Sequence, residues 1–389
     1  MEEAVIIDAV RTPVGRGKAS GGLAGVHPVD LLAGVLGALA DRTGIDPALL
    51  DDVLVGCVQQ VGEQSGNIAR SAALAAGFPE SVPGATINRQ CGSSQQAATF
   101  AAHAIMAGTQ GMVVAAGVES MSAIPLGTAR PSSSGHRITL RYPAGLVHQG
   151  VSAELVADRW KLSRAELDEY SARSHHRAAA AWESGQFADE VIAVPEAPLL
   201  ARDETVRPGT TAESLATLRP SFRTDELGAR FPELDWKITP GNSSPLTDGA
   251  SAVLICSATK ARQLGLRPRA RFVAFSVTGD DPLLMLTGPI PATRRILQRT
   301  GMTIDDLDAY EVNEAFAPVP LAWMREFGAD PERLNPHGGA IALGHALGSS
   351  GTRLLTTLLN ALESRGGRFG LQTMCEAGGM ANATIIERL

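Results

Sequence analysis

Two widely separated stretches of this chain are written to one plan. At Gly92-Ser93-Ser94 a turn of small residues opens a helix reaching to about Ala107; Gly108 stops it, and an apolar strand follows at Met112–Ala116. At Gly348-Ser349-Ser350-Gly351 a similar turn opens a helix through Leu362, Arg365-Gly366-Gly367 ends it, and Phe369–Cys375 reads as another buried strand. A strand that is apolar along its whole length needs cover on both faces. Repetition of the block predicts an α/β protein built of two related halves.

Other segments extend the alternation. Ala4–Val10 and Asp52–Val58 read as strands, Pro28–Thr43 and Asn67–Ala76 as helices, and Val253–Cys256 as the strand that completes the first half. Between Met121 and Ser244 the texture changes to Pro, Ser, Arg and Glu, with a polar helix near Arg164–Ser184. An excursion of that length is expected to carry structure or function of its own. The predicted organisation is residues 1–120 with 245–268 as one half, 121–244 as an insertion, and 269–389 as the other half. A chain of 389 residues is too long for one ordinary core. Its 44% hydrophobic and 19% charged content is that of a globular protein.

A net charge of −7 argues against nucleic acid as a partner. No apolar run reaches membrane-spanning length, and the first residues already read as a strand, so no membrane association and a cytoplasmic location are expected. The four cysteines, Cys57, Cys91, Cys256 and Cys375, show no C-x-x-C spacing. They are expected to be free thiols, with no metal site.

Three small-residue turns carry groups suited to chemistry. Cys91, in Asn88-Arg89-Gln90-Cys91-Gly92-Ser93-Ser94, follows an extended segment and starts a helix. Free N–H groups and the positive end of the helix dipole favour a thiolate there, so a low thiol pKa and a nucleophile are expected. His345 lies among four glycines in Asn335–Gly348, where an imidazole can approach a ligand as base or oxyanion donor. His337 in the same loop is read as a polar loop residue. Cys375 ends a strand ahead of Glu376-Ala377-Gly378-Gly379, suiting a second acid. Asn313-Glu314, after the strand Ala309–Val312, either holds a water or caps a helix.

Taken together, NRQCGSS, VNEAFA, NPHGGAIALGHALGSSG and MCEAGG resemble the signature blocks of the thiolase family, in the family's order. DAVRTPVGR, GNSSPLTDGA and TGPIPATRR are similar to further blocks, so the resemblance spans essentially the whole chain. It implies a five-layered αβαβα fold of two halves, with a coenzyme A-binding loop domain inserted in the first. By position, it implies that Cys91 is the acylated nucleophile, His345 its activating base, and Cys375 the acid and base at the substrate α-carbon. Asn313 would hold an oxyanion-hole water, and the Ala377 N–H would serve a second oxyanion hole. His148, Arg207, Ser214, Leu218, Phe222 and Ser244 match positions that touch coenzyme A, while Gln149, Met285 and Phe316 match the acyl side.

The implied reaction is reversible cleavage of a 3-ketoacyl-CoA by CoA, with CoA as substrate, no tightly bound cofactor, and a homodimer or homotetramer as the assembly. Departures are Ala346 after the histidine, Gln149 and Leu286 in place of residues that shape the acyl pocket, Ala377 in a turn that is usually glycine, and extra sequence at Arg223–Trp236. Gln149 and Leu286 point away from acetoacetyl-CoA as the preferred substrate. Alanine at 377 is expected to store strain if its φ is positive. Competing readings are a biosynthetic acetoacetyl-CoA thiolase, a 3-ketoacyl synthase, and a non-catalytic acyl-CoA-binding protein. Cys375 and the Asn-Glu-Ala-Phe block oppose the synthase, and the presence of Cys91, His345 and Cys375 together opposes the last.

Overall fold

The computed structural model describes residues 2–133 and 135–389. Among these described residues there are ten strands: β1 Ala4–Arg11, β2 Gly15–Arg16, β3 Asp52–Gly56, β4 Gly84–Ile87, β5 Met112–Ser120, β6 Thr247–Ser257, β7 Ala270–Gly279, β8 Ala309–Val312, β9 Phe369–Glu376 and β10 Met380–Arg388. All residues of β1, β5 and β6 are buried, as strands covered on both faces require.

Hydrogen bonding runs in the order β4-β3-β5-β6-β1-β7-β10-β9-β8, with β2 paired to β6. β3 and β5 are parallel, then β6 and β1 follow antiparallel; β8 and β9 are parallel, then β10 and β7 follow antiparallel. The two halves therefore repeat one topology. They meet at β1–β7, where only Val5 with Arg271 and Ile6 with Ala270 are in register.

Helices Ser93–Met106 and Ser350–Arg365 pack on each other and on strands of both halves, forming the middle layer. Helices Pro28–Thr43 and Ile68–Ala75 cover the outer face of the first half, and Pro289–Thr300 covers that of the second. This is the expected five-layered arrangement. Between β5 and β6 the described residues hold no named strand, only helices and turns, including the polar helix Arg164–Glu183 with its Ser163/Glu166 capping box.

The central helices approach at backbone distance. A Cβ on Gly351 would lie 2.1 Å from the Gln95 amide nitrogen, and one on Gly56 would lie 2.2 Å from that of Ser94. A Cβ on Gly117 would meet the Gly348 carbonyl oxygen at 2.2 Å. Ala97, Ala98, Ala101 and Ala102 bring small side chains to the same layer. Boundaries differ slightly from expectation. β3 stops at Gly56 because the Val58 and Gln59 amides turn to the Glu119 carboxylate, and β5 continues to Ser120 by pairing with β6 as far as Asp248.

Gly351→Ala is expected to lose about 1–3 kcal/mol from overpacking against backbone. Gly34→Ala, on the exposed face of the first helix with nothing within 4 Å, is expected to gain roughly 0.5–1 kcal/mol. Denaturant unfolding of the two variants checks both signs.

Candidate active site

Cys91 sits on a turn whose shape is tied down from both sides. The Asn88 side chain accepts from the Gln90 amide at 2.9 Å and donates to the Val58 carbonyl at 3.1 Å. Ser93 Oγ accepts from the Arg89 amide at 2.9 Å and donates to the Gln90 carbonyl at 2.5 Å. These bonds hold Gln90 at φ 50°, a left-handed conformation for a non-glycine residue directly before the cysteine. Such a conformation costs on the order of 1 kcal/mol and persists only where neighbours over-determine it. Gly92 leaves room for the Glu376 carboxyl, since a Cβ there would lie 1.9 Å from Oε1 and the side chain would have to move.

The expected low thiol pKa is not met. Burial and the Glu376 carboxyl push the Cys91 thiol up to about 12, outweighing the Cys91 and Ala377 amides that face the sulfur. The helix end does favour the anion, but desolvation of a buried thiolate costs more. Cys375 is buried too, and its thiol is held well above the ordinary value by burial and by its neighbours Cys91 and Glu376. The two cysteines therefore share one enclosed site.

The expectation of strain at Ala377 is also corrected. The non-glycine residues at positive φ are Gln90, Lys161, Met285 and Asn335 among the described residues, so Ala377 is not one of them. Gly378 and Gly379, at φ 87° and 77°, take up the turn instead. Alanine thus leaves its N–H directed at the Cys91 sulfur without penalty.

His345 is buried, and burial with Arg353 nearby lowers its pKa to about 3, so the resting imidazole is neutral. Its Nδ1 lies 2.6 Å from Ser350 Oγ. The Ser350 hydroxyl proton is directed to the Ala346 carbonyl at 2.9 Å. Nδ1 is then the donor, which leaves Nε2 unprotonated. Asn313 Nδ2 approaches that nitrogen at 3.5 Å, and Asn313 Oδ1 is buried without a partner. Leu347, two residues beyond His345, packs in one apolar cluster with Cys91.

Two buried carboxylates clamp these loops. Glu119 accepts from the Val58, Gln59 and Gly348 amides and from Gln64 Nε2, joining the loop after β3 to the His345 loop. Glu314 accepts from Tyr170, Ser174, Asn335 and the Ile341 amide. It caps the short helix Ala340–Leu343 and holds the His345 loop beside Asn313. His337 is not a solvated loop residue. It is buried edge-on to Phe187 at 6.0 Å, with its pKa lowered to about 4 by burial.

Outside the cysteines an aromatic line leads outward. His148 stacks on Phe222 at 5.5 Å, and Phe222 meets Phe316 edge-on at 6.1 Å. Phe222 lies flat on Gly150, beside half-buried Gln149. Ser244 donates to the Ala315 carbonyl at 3.1 Å, next to Phe316. Met285 and Phe316 belong to one apolar cluster with Cys375, against which Phe222 and Ala377 pack. Leu218 covers Gly241. The Arg207 backbone amide donates to His175, and Ser214 forms a capping box with Thr211. Sequence reasoning missed the clamping parts of Glu119 and Ser350. A charged residue ending an apolar strand was the available sign for Glu119.

Residues 4–259 match the family model described as thiolase, N-terminal domain, and residues 266–388 match thiolase, C-terminal domain. The chain belongs to the thiolase family. It is an acyltransferase of that family. A steroid 3-ketoacyl-CoA thiolase of Mycobacterium tuberculosis is 51% identical, covering all of this chain and 95% of that protein. A 3-ketoacyl-CoA thiolase of Erwinia tasmaniensis is 45% identical over the full length of both. The crystal structure of the Bacillus anthracis acetyl-CoA acetyltransferase superposes with a TM-score of 0.89 at 38% identity, covering 100% of this thiolase and 99% of that chain. No group of His, Cys, Asp and Glu among the described residues forms a metal site. No helix among them is long and apolar enough to cross a membrane.

With the Ala377 amide already aligned, Ala377→Gly is expected to leave kcat within about twofold, because no oxyanion donor is gained or lost. Steady-state thiolysis of the variant checks this; a rise of about tenfold or more contradicts the alignment.

Proposed function

We propose that this thiolase works degradatively, cleaving 3-ketoacyl-CoA with CoA into acetyl-CoA and a shortened acyl-CoA. The observation that carries the chemistry is the enclosed pairing of Cys91 with Cys375 under the Ala377 amide, and the relatives named 3-ketoacyl-CoA thiolases support the direction. His345 Nε2 takes the Cys91 proton; its support is the tautomer set by Ser350. Thiolate and imidazolium form together, and their attraction in a low-dielectric site offsets the desolvation that each suffers alone. The thiolate attacks the ketone carbon, C2–C3 breaks, and the electron pair goes to the acetyl-CoA enolate. Cys375 protonates C2. The Cys375 thiolate then takes the proton of an incoming CoA thiol, whose sulfur attacks the acyl carbon; the bond to Cys91 breaks, and Cys91 regains the proton held by His345. Each tetrahedral oxyanion needs donors: a water on Asn313 with His345 for one, and the Cys91 and Ala377 amides for the other.

CoA would run along His148, Phe222 and Ser244, with Leu218, Arg207 and Ser214 toward the nucleotide. The acyl chain would lie by Gln149, Met285 and Phe316. CoA enters as a substrate, and no tightly bound cofactor is invoked. The reading includes a cytoplasmic enzyme and at least a homodimer; the unpaired outer edge of β4 supports the latter. Bulky or medium-to-long acyl groups are the proposed substrates. Support comes from Gln149 and Leu286 at the acyl side and from the relative named as a steroid thiolase.

Intact-protein mass spectrometry after brief exposure to acyl-CoA is expected to show one adduct, on the Cys91 peptide, and none in Cys91→Ala. Cys375→Ala is expected to acylate normally yet lose exchange of acetyl-CoA methyl protons into deuterated water; normal exchange would remove Cys375 from the proton transfer. Across a panel from acetoacetyl-CoA to polycyclic 3-ketoacyl-CoAs, kcat/KM is expected to favour the larger members. Acetoacetyl-CoA emerging as best would instead indicate a short-chain or biosynthetic role.

A further inference from the structure

Between β7 and the helix Pro289–Thr300 the chain makes a loop, Asp280 to Thr287, that closes on itself. The Thr287 hydroxyl donates to Asp280 Oδ2 at 2.7 Å and joins the two ends. Within the loop, Asp281 Oδ1 accepts from the Leu283 amide at 2.7 Å, and the Asp281 carbonyl accepts from the Met285 amide at 2.8 Å. The Leu286 amide donates back to the Leu284 carbonyl, which makes a three-residue turn centred on Met285. Met285 takes φ 53° there, a left-handed conformation. Such a turn is strained for a residue with a side chain and persists only where its surroundings over-determine it.

The loop is also tied to the site. Ser152, on the helix Gln149–Arg159, donates to the Leu283 carbonyl at 2.8 Å. The Asp280 amide donates at 2.6 Å to the carbonyl of Gly379, on the turn that carries Ala377. Backbone meets backbone at that point, since a Cβ on Gly379 would lie 2.8 Å from the Asp280 carbonyl oxygen. Met285 is buried in one apolar cluster with Phe316 and Cys375. Asp280, Asp281, Leu284 and Thr287 also border an open cleft of about 210 Å³, with Arg159 and Trp160. A loop open to solvent along such a cleft depends on its own hydrogen bonds for its shape.

We propose that Asp281 and the Asp280–Thr287 pair are positioning residues for acyl selectivity: they lock the strained turn so that Met285 stands as a fixed wall beside Phe316 and Cys375. A wall formed in advance gives its contact to a long acyl group without first being ordered, and a short acyl group makes less of that contact. Loosening the turn therefore costs long substrates more than short ones. The bond from Asp280 to Gly379 extends the effect, because an acyl group that displaces Met285 also pulls on the turn bearing the Ala377 amide. A poor fit is then felt in the chemical step as well as in binding. The inference rests on the reading of Met285 and Phe316 as the acyl side.

The test is the ratio of kcat/KM for 3-ketodecanoyl-CoA to that for acetoacetyl-CoA, measured on one preparation of the full-length enzyme. Both values scale with the amount of folded enzyme, so a merely structural loss leaves the ratio unmoved. Thr287→Val keeps the volume and removes the hydroxyl, and Asp281→Ala removes the acceptor. Each is expected to lower the ratio by about three- to tenfold, as the loss of one hydrogen bond implies. Thr287→Ser and Asp281→Asn, which retain donor and acceptor, are expected to hold it within about twofold. The two losses act on different bonds, so either variant serves should the other fold poorly. Met285→Ala is expected to lower the ratio as well. An unchanged ratio in Met285→Ala overturns the acyl-side reading, and the proposal with it. A lowered ratio there, beside an unchanged or raised one in Thr287→Val and Asp281→Ala, overturns the proposal alone, as does an equal fall in the two conservative variants.

Discussion

Backbone meets backbone where the two central helices begin. Gly56, Gly117, Gly348 and Gly351 leave no space for a Cβ, and their absence of side chains lets the turn after Cys91 and the turn after His345 come together. A methyl group at any of them would push main chain against main chain, which has no flexible part to yield. The nucleophile loop, the histidine loop and the strand carrying Cys375 are thereby gathered around one point of the molecule. Ser94 reinforces the contact by accepting from the Thr352 amide at 3.0 Å, and Ser251 bridges to Ser349 and Thr352.

That closeness has an electrostatic consequence. The site made by these apposed helix ends is buried, and a buried ionisable group without a compensating partner leans to its neutral form. Cys91, Cys375 and Glu376 are raised and His345 is lowered for the same reason, burial. The helix dipole does not prevail over this. Amide donors aimed at the sulfur matter less for the resting enzyme than for the charged states that form during reaction, where they need no rearrangement.

The carboxylates show how much of such a centre is scaffolding. Glu119 and Glu314 collect donors from segments distant in the chain, and each fixes one loop of the site. Their oxygens are satisfied and their work is geometric. The unpartnered oxygens of Glu376 and the unpartnered Nε of Arg89 stand out by contrast.

Much of the fold was legible along the chain. The repeated turn–helix–stop–strand block marked both central helices and both inner strands, and the helix at Pro28–Thr43 was readable to its ends from Pro28 and Gly44. Cys91, His345, Cys375 and Asn313 were visible because glycine-rich turns and helix starts are local features. The short strands β2 and β4, the antiparallel partners β7 and β10, and the register at β1–β7 were not, since pairing is set by residues far apart in sequence. Protonation was decided by tertiary structure as well. Helix position alone predicted a thiolate at Cys91, but the depth of burial and a carboxyl delivered from β9 reversed the sign. Likewise strain at Ala377 depended on its φ, which the sequence left open and which the folded turn settled by placing positive φ on Gly378 and Gly379 instead. Residue type and spacing determined which groups are present and on which turns. Burial and through-space charge, which exist only once the chain is folded, determined the state in which those groups rest.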